Sequence, residues 1–286
     1  MKKSIATVAL GGTLPEKLEA IAGAYFDGVE IFEPNLSAYA GTPRDVGRIA
    51  AGLGLTIDLF QPLRDFEGVA DSDFDQNLGR AEAAFDVMGE LGASLLLVCS
   101  NASANASGDV ERAATQLFQL AERGSRRGIR IGYEALAWGK HVHRFDQAFR
   151  IVERANHPNL GIILDSFHAL VRPESWTAIS GLPATRIFFL QLGDAHRVDG
   201  DPLTLRRRHS RLPGHGDLDV AGFLRAVLAT GYAGNLSIEI FNEQTTEPPK
   251  VTARAAMTSL LNVEEQARRG DERGRPGPAG ALSAPQ

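Results

Sequence analysis

An alternation repeated eight times constrains this chain most. Short apolar runs recur at SIATVAL (4–10), GVEIF (28–32), LTIDLF (55–60), SLLLVCS (94–100), IRIGYEA (129–135), LGIILDS (160–166), IFFLQLG (187–193) and NLSIEIF (235–241). Each is five to seven residues long and rich in Val, Ile, Leu and Phe, as strands buried on both faces of a parallel sheet are. Between and after them lie segments of helical character: 14–25, 43–53, 73–91, 109–127, 144–155, 174–180, 218–229 and 250–268. Thr13 before Leu14 and Pro15 marks a helix start, and Asp217 and Asp219 stand at the head of the segment 218–229. Gly28, Gly54, Gly92, Gly128 and Gly234 fall at or just before strand starts, where helix C-caps belong. Eight strand–helix units predict an α/β chain folded as one (β/α)8 TIM barrel over residues 1–269. A doubly wound open sheet is the alternative. It has no G-x-G-x-x-G or P-loop to support it, and Gly11–Gly12 alone makes no phosphate loop. The Gly/Pro/Ala-rich stretch 270–286 is expected to be a disordered tail.

Composition removes several function classes. The net charge of −5 and pI near 5.8 disfavour nucleic acid as a partner, which calls for a basic face. No apolar run approaches the roughly 20 residues of a membrane span. The opening MKKSIATVAL could pass for a leader, but Gly11, Gly12 and Pro15 interrupt it, and a strand accounts for it. The single cysteine, Cys99, can form no internal disulfide, which fits a reducing, cytoplasmic setting. A small-molecule substrate is the partner expected, and homo-oligomerisation is left open.

In a barrel of this kind the C-terminal ends of the strands share the active face. The fifth run ends in Glu134 and the sixth in Asp165. The seventh carries Gln191, then Asp194, and the eighth ends in Glu239. A single acid in such a place is ordinarily a helix N-cap or a loop ion pair. Three carboxylates and a carboxamide at similar depth on four consecutive strands are harder to explain that way. Crowded carboxylates repel, and a divalent cation removes the difficulty. The all-oxygen set Glu134, Asp165, Gln191 and Glu239 suits one Mg²⁺, Mn²⁺ or Co²⁺, and suits structural zinc poorly.

Other residues gather around that set. His168, three past Asp165, is a candidate for general acid–base work or substrate contact. Arg64 in FQPLRDF reads as a fork for a substrate carboxylate, or else as a rim ion pair with Asp65 or Glu67. The basic stretch LRRRHSRLPGHG (205–216) is either a solvated loop or a lid over an anion, with Arg211 or His209 pointing in. Trp138 and His141 are expected to wall the pocket. Glu30 and Glu33 are expected either to support the site or to face the substrate, with a structural ion pair as the other reading for Glu30. Cys99 is expected to pack rather than to react.

The barrel with Glu134, Asp165-x-x-His168, Gln191 and Glu239 resembles the xylose isomerase-like, or sugar phosphate isomerase/epimerase, superfamily. TLPEKLEAIA (13–22), FDGVEIFE (26–33), LFQPLRDFEG (59–68), LVCSN (97–101), IGYEALAWGKHV (131–142) and GIILDSFH (161–168) are similar to the bacterial 3-dehydroshikimate dehydratases of quinate and shikimate breakdown. The resemblance runs from about residue 1 to 265. It implies metal-dependent conversion of 3-dehydroshikimate to protocatechuate, by enolate formation and loss of water. It implies His168 as proton shuttle, with Glu134 as the alternative, and Arg64 as the residue that orients the substrate carboxylate; His168 and, from the basic stretch, Arg211 are the further substrate contacts expected. Many members carry a second, C-terminal domain resembling hydroxyphenylpyruvate dioxygenase, and this chain is expected to lack it. The rivals are a ketose 3-epimerase or isomerase with the same ligands, an abasic-site endonuclease, which needs more strand-end histidines, and a non-catalytic binding barrel.

Overall fold

The computed structural model describes residues 1–172, 176–198, 200–241 and 247–274. The apolar runs form β1 (Lys3–Ala6), β2 (Gly28–Phe32), β3 (Thr56–Leu63), β4 (Leu95–Cys99), β5 (Arg130–Glu134), β6 (Leu160–Asp165) and β7 (Ile187–Leu192). Two short strands, β8 (Asp194–Ala195) and β9 (Ser210–Arg211), pair antiparallel outside the barrel, and β10 (Leu236–Ile238) completes it. The parallel strands close in the order β1-β10-β7-β6-β5-β4-β3-β2. The expected eight-stranded barrel is therefore present, with β10 as its eighth strand.

Strand pleating decides what faces inward. Side chains alternate between the two faces, so one parity lines the barrel interior and the other packs on the helices. Leu59, Leu95, Leu97, Ile163 and Phe189 form the small interior cluster. Glu134 shares the parity of Gly132, Asp165 that of Ile163, and Gln191 that of Phe189. The three polar side chains therefore enter the same interior, toward the strands' C-terminal ends. Gly132 has a packing reason: a Cβ there would stand 2.5 Å from Ile163 Cδ1. The larger core fills the layer between sheet and helices and includes Leu18, Val46, Phe85, Leu117, Val152 and Phe223.

The outer layer comprises α1 (Leu14–Gly23), α2 (Glu33–Ser37), α3 (Pro43–Gly52), α4 (Asp71–Leu91), α5 (Val110–Ser125), α6 (Phe145–Ala155), α7 (Ser166–Leu170), α8 (Pro202–His209), α9 (Val220–Ala229) and α10 (Pro249–Gly274). Thr13 and Glu16 make the capping box of α1, with Pro15 in its first turn. Gly92 caps α4 in the left-handed region at φ 79°. Asp219 caps α9 by accepting from Gly222 N, whereas Asp217 accepts from Arg197 N instead.

Three expectations change. The first strand ends at Ala6, and Thr7–Ala9 is a 3₁₀ turn. Thr7 is buried there and its Oγ1 accepts from Phe32 N at 3.0 Å, which draws the chain toward β2. The helix expected over 174–180 is absent from the described part of that segment. The short α7 and a 3₁₀ turn at Thr177–Gly181 follow β6 instead, and Gly181 and Pro183 oppose helix propagation. Of the stretch 270–286, residues through Gly274 continue α10, and 275–286 lie outside the described residues. Among the described residues no helix is long and apolar enough to cross a membrane.

Candidate metal centre and active site

Each strand end is held by its neighbour. Glu134 lies level with Ile163, Asp165 with Gln191, and Gln191 with Ser237. Ser166 Oγ donates to Gly193 O at 2.6 Å and accepts from Gly193 N at 2.9 Å, tying the end of β6 to the end of β7. Glu239 N donates to Leu192 O at 3.0 Å, which fixes the first residue beyond β10. Asp165 does two things at once. Its Oδ1 caps α7 by accepting from Phe167 N at 2.7 Å, which leaves Oδ2 for the barrel interior.

Glu134, Asp165, Gln191 and Glu239 are all buried. Glu134, Asp165 and His168 bring potential ligand atoms within 4.8 Å of one another. Burial pushes the Glu134 carboxyl well above the usual carboxylate range, and the charges of Glu239 and Asp165 push the same way. Asp165 is pushed up to about 7, chiefly by burial, although Arg206 pulls it back. This is the expected penalty for crowding acids in a low dielectric, and it calls for a cation.

The fold supplies one in Arg206. Its Nη2 donates to Asp165 Oδ2 at 2.7 Å and also to Glu239 Oε2. The guanidinium carbon lies 4.9 Å from the ring centre of Phe167 and 5.0 Å from that of Phe241. Burial opposes the arginine's charge, but Asp165, Glu239 and Glu134 outweigh it and hold its pKa above the ordinary value. Even so, Glu134 Oε1 and Gln191 Oε1 are buried with no donor. Two orphaned oxygens beside two carboxylates bridged by a cation form a donor set that fits a hard divalent ion.

His168 is 6 % exposed, and its Nδ1 accepts from Ala137 N at 3.1 Å. In the neutral ring the hydrogen therefore sits on Nε2, 3.9 Å from Asp165 Oδ2. Burial holds the imidazole well below its usual pKa, and the charges of Arg206 and Arg64 add to this. A nitrogen carrying hydrogen offers no lone pair to a metal, so this tautomer makes His168 a donor toward the cavity. Trp138 packs edge-on against it at 5.0 Å between ring centres.

The cavity above these groups has a volume of about 480 Å³. Arg64, Trp138, Glu134, Glu239, His168 and Arg206 line it. Arg211 and His141 are not among its lining residues. Arg211 Nη1 donates to Ser210 O on the outer hairpin. His141 Nε2 sits 2.9 Å from Ala106 O and borders a separate cavity. Asp194 holds the loop rather than the site, accepting from the backbone N–H groups of Gly214, Gly216 and Leu218. Glu33 opens α2 and accepts from Ser37. Cys99 packs under Glu134, with Sγ 3.8 Å from Oε2, and burial raises its thiol pKa far from a nucleophile's range.

Sequence reasoning missed Arg206. The signal was the basic stretch 205–216, which was expected to send Arg211 or His209 inward. The N-cap at Asp201, which accepts from Thr204 N, sets the start of α8. That start turns Arg206 onto the buried face.

Comparison with known proteins places this geometry. The family pattern described as xylose isomerase-like TIM barrel matches residues 18–262. A 3-dehydroshikimate dehydratase of Pseudomonas putida is 50% identical over 287 aligned residues, covering 100% of this chain and 45% of that protein. A 3-dehydroshikimate dehydratase of Pseudomonas aeruginosa is 53% identical over 269 residues, 94% of this chain and 42% of the relative. A solved structure of a xylose isomerase-like TIM barrel/4-hydroxyphenylpyruvate dioxygenase fusion protein superposes with a TM-score of 0.94 at 50% identity, covering 100% of this chain and 46% of that one. The chain thus spans less than half the length of these relatives. With its closed barrel and the family pattern spanning most of its length, the chain belongs to the xylose isomerase-like TIM-barrel family.

Proposed function

We propose that this barrel converts 3-dehydroshikimate to protocatechuate and water, with one divalent cation (Mg²⁺, Mn²⁺ or Co²⁺) held by Glu134, Asp165, Gln191 and Glu239. The observation that carries the reading is the buried four-oxygen cluster, in which two acids already share a cation and two oxygens have no donor. The two Pseudomonas dehydratases at 50% and 53% identity support the choice of reaction. A cytoplasmic setting goes with this reading, since Cys99 is buried and unpaired.

When bound, the cation supplies Lewis-acid stabilisation of the charge that grows on the substrate's ketone oxygen. The chain's own groups do the rest. Arg64, on the cavity wall, pairs with the substrate carboxylate and orients the ring. Glu134 takes the proton beside the ketone: a carboxylate has two oxygens, so one can hold an ion while the other accepts a proton. His168 donates a hydrogen bond from Nε2 to the departing β-hydroxyl, a role its tautomer suits. The hydroxyl leaves with the proton from Glu134 as water, and a proton shift within the ring completes the aromatic product. Trp138 and Phe241 border the cavity and limit water around the developing charge.

The test is incubation of Mn²⁺-loaded protein with 3-dehydroshikimate, and separately with a panel of ketoses, followed by product analysis. Protocatechuate from the first and no epimer from the second is the expected result. Epimerised sugar with no protocatechuate would overturn the assignment.

A further inference from the structure

Among the described residues the barrel interior holds a further carboxylate beside the strand-end acids. Glu30 on β2 is 0 % exposed, with donors converging on both its oxygens. Gln61 Nε2 and Gln191 Nε2 each donate to Glu30 Oε2 at 2.7 Å, and Ser237 Oγ donates to Oε1. The strands bring these groups together: Glu30 comes from β2, Gln61 from the adjacent β3, and Gln191 and Ser237 from paired positions of β7 and β10.

A carboxylate accepts hydrogen bonds, whereas a carboxamide has one accepting end and one donating end. Both glutamines present their nitrogens to the same Glu30 oxygen, Oε2, which accepts from the two at once. For Gln61, which lines the cavity, the consequence is that its carboxamide is held by its nitrogen against Glu30. For Gln191 it decides chemistry, because committing the nitrogen to Glu30 turns Oε1 the other way. That oxygen is buried and has no donor. An amide nitrogen has no lone pair to give a metal, so a reversed Gln191 would be no ligand.

We propose that Glu30 is a positioning residue that selects the oxygen of Gln191 as the fourth metal ligand. The inference rests on the metal reading above. It explains why an acid with no route to solvent and no cationic partner among its hydrogen-bond donors sits inside the barrel. It also explains how a carboxamide, ambiguous by itself, serves among three acids. A neutral ligand there limits the charge crowded around the ion, and Glu30 makes that neutral ligand single-minded.

The test measures Mn²⁺ affinity by electron paramagnetic resonance on folded, metal-stripped protein, for wild type, Glu30→Gln, Glu30→Leu and the double variant Glu30→Leu/Gln191→Glu. Loss of an orienting partner costs about 10–100-fold in metal affinity, and Glu30→Leu is expected to fall in that range. Glu30→Gln keeps an oxygen in the accepting position and turns its nitrogen to Ser237, so it retains wild-type affinity. In the double variant both ends of residue 191 are oxygen, so orientation no longer matters and affinity returns. Glu30→Leu binding as tightly as wild type would overturn the proposal, as would a double variant as weak as Glu30→Leu. If wild type itself binds no Mn²⁺, or Glu239→Ala binds as well as wild type, the metal reading fails instead. Should Glu30→Leu not fold, ¹⁵N-glutamine-labelled wild type loaded with Mg²⁺ gives a second measurement. The Gln191 side-chain amide protons are expected to exchange slowly with solvent, and fast exchange would refute the proposal.

Discussion

Replacing Arg206 with methionine should separate the metal-free protein from the loaded one. Methionine is apolar and unbranched, suits the space beside Phe167 and Phe241, and removes the guanidinium that Asp165 and Glu239 share. Arg206 is 2 % exposed, so both acids lose their counter-cation in a buried site. Breaking a buried pair by removing one partner costs about 3–5 kcal/mol. At about 2–4 °C per kcal/mol for a domain of this size, the metal-free variant should melt about 6–20 °C below wild type. The same oxygens are the proposed metal ligands, so an ion entering wild type must displace Nη2, whereas in the variant it meets no competitor. Mn²⁺ affinity should rise at least tenfold, equivalent to about 1.4 kcal/mol. Saturating Mn²⁺ should therefore raise the melting temperature of the variant more than that of wild type. Differential scanning calorimetry with and without Mn²⁺, together with a calorimetric Mn²⁺ titration, reads both effects. A metal-free variant that melts with wild type and binds Mn²⁺ no more tightly would show that Arg206 does not stand in for the ion.

Further outcomes follow from the same geometry. Glu134→Ala and Glu239→Ala should lose turnover and bound metal while circular dichroism shows the barrel intact. His168→Phe should lower kcat by about 10²–10³-fold, the loss typical of a positioned donor. Burial holds the His168 pKa well below the ordinary imidazole value of 6.5, so the ring is neutral in the folded state. Its contribution to stability is complete above about 6.5 and declines as pH falls below that value, because the unfolded chain then takes the proton first. In denaturant titrations across pH 5–8, the stability difference between wild type and His168→Phe should carry that slope. Glu67 has the opposite sign. Burial raises its carboxyl from 4.5 to about 7, so its contribution is complete below about 4.5 and is lost as pH rises through about 7. Glu67→Gln should therefore gain on wild type by up to about 3 kcal/mol at pH 8 and by little at pH 4, as read by denaturant titration.

Much of the fold and part of the site were legible before any coordinates. Eight apolar runs, five of them preceded or opened by a glycine, leave few architectures, and pleating then places Glu134, Asp165 and Gln191 on the inner face once the barrel is accepted. Asp165 shows why a single acid is ambiguous: it is an N-cap through one oxygen and a site group through the other. Arg206 was out of reach for a different reason. LRRRH places three arginines in a row, and only the packing of α8 on the strand ends decides which one turns inward. The tautomer of His168 was equally hidden, since it depends on the N–H of Ala137, a backbone group that no side-chain pattern reveals. Glu30 could be seen as an acid on a strand, but its partners come from β3, β7 and β10, and such long-range convergence leaves no local signature.

The most direct measurement titrates chelator-stripped protein with Mn²⁺ while following bound ion and protocatechuate formation in the same samples. Turnover absent at the start, rising with bound Mn²⁺ and levelling at one equivalent per chain, is the predicted result. Full turnover by the stripped protein, or a saturated protein that leaves 3-dehydroshikimate unchanged, would contradict the account.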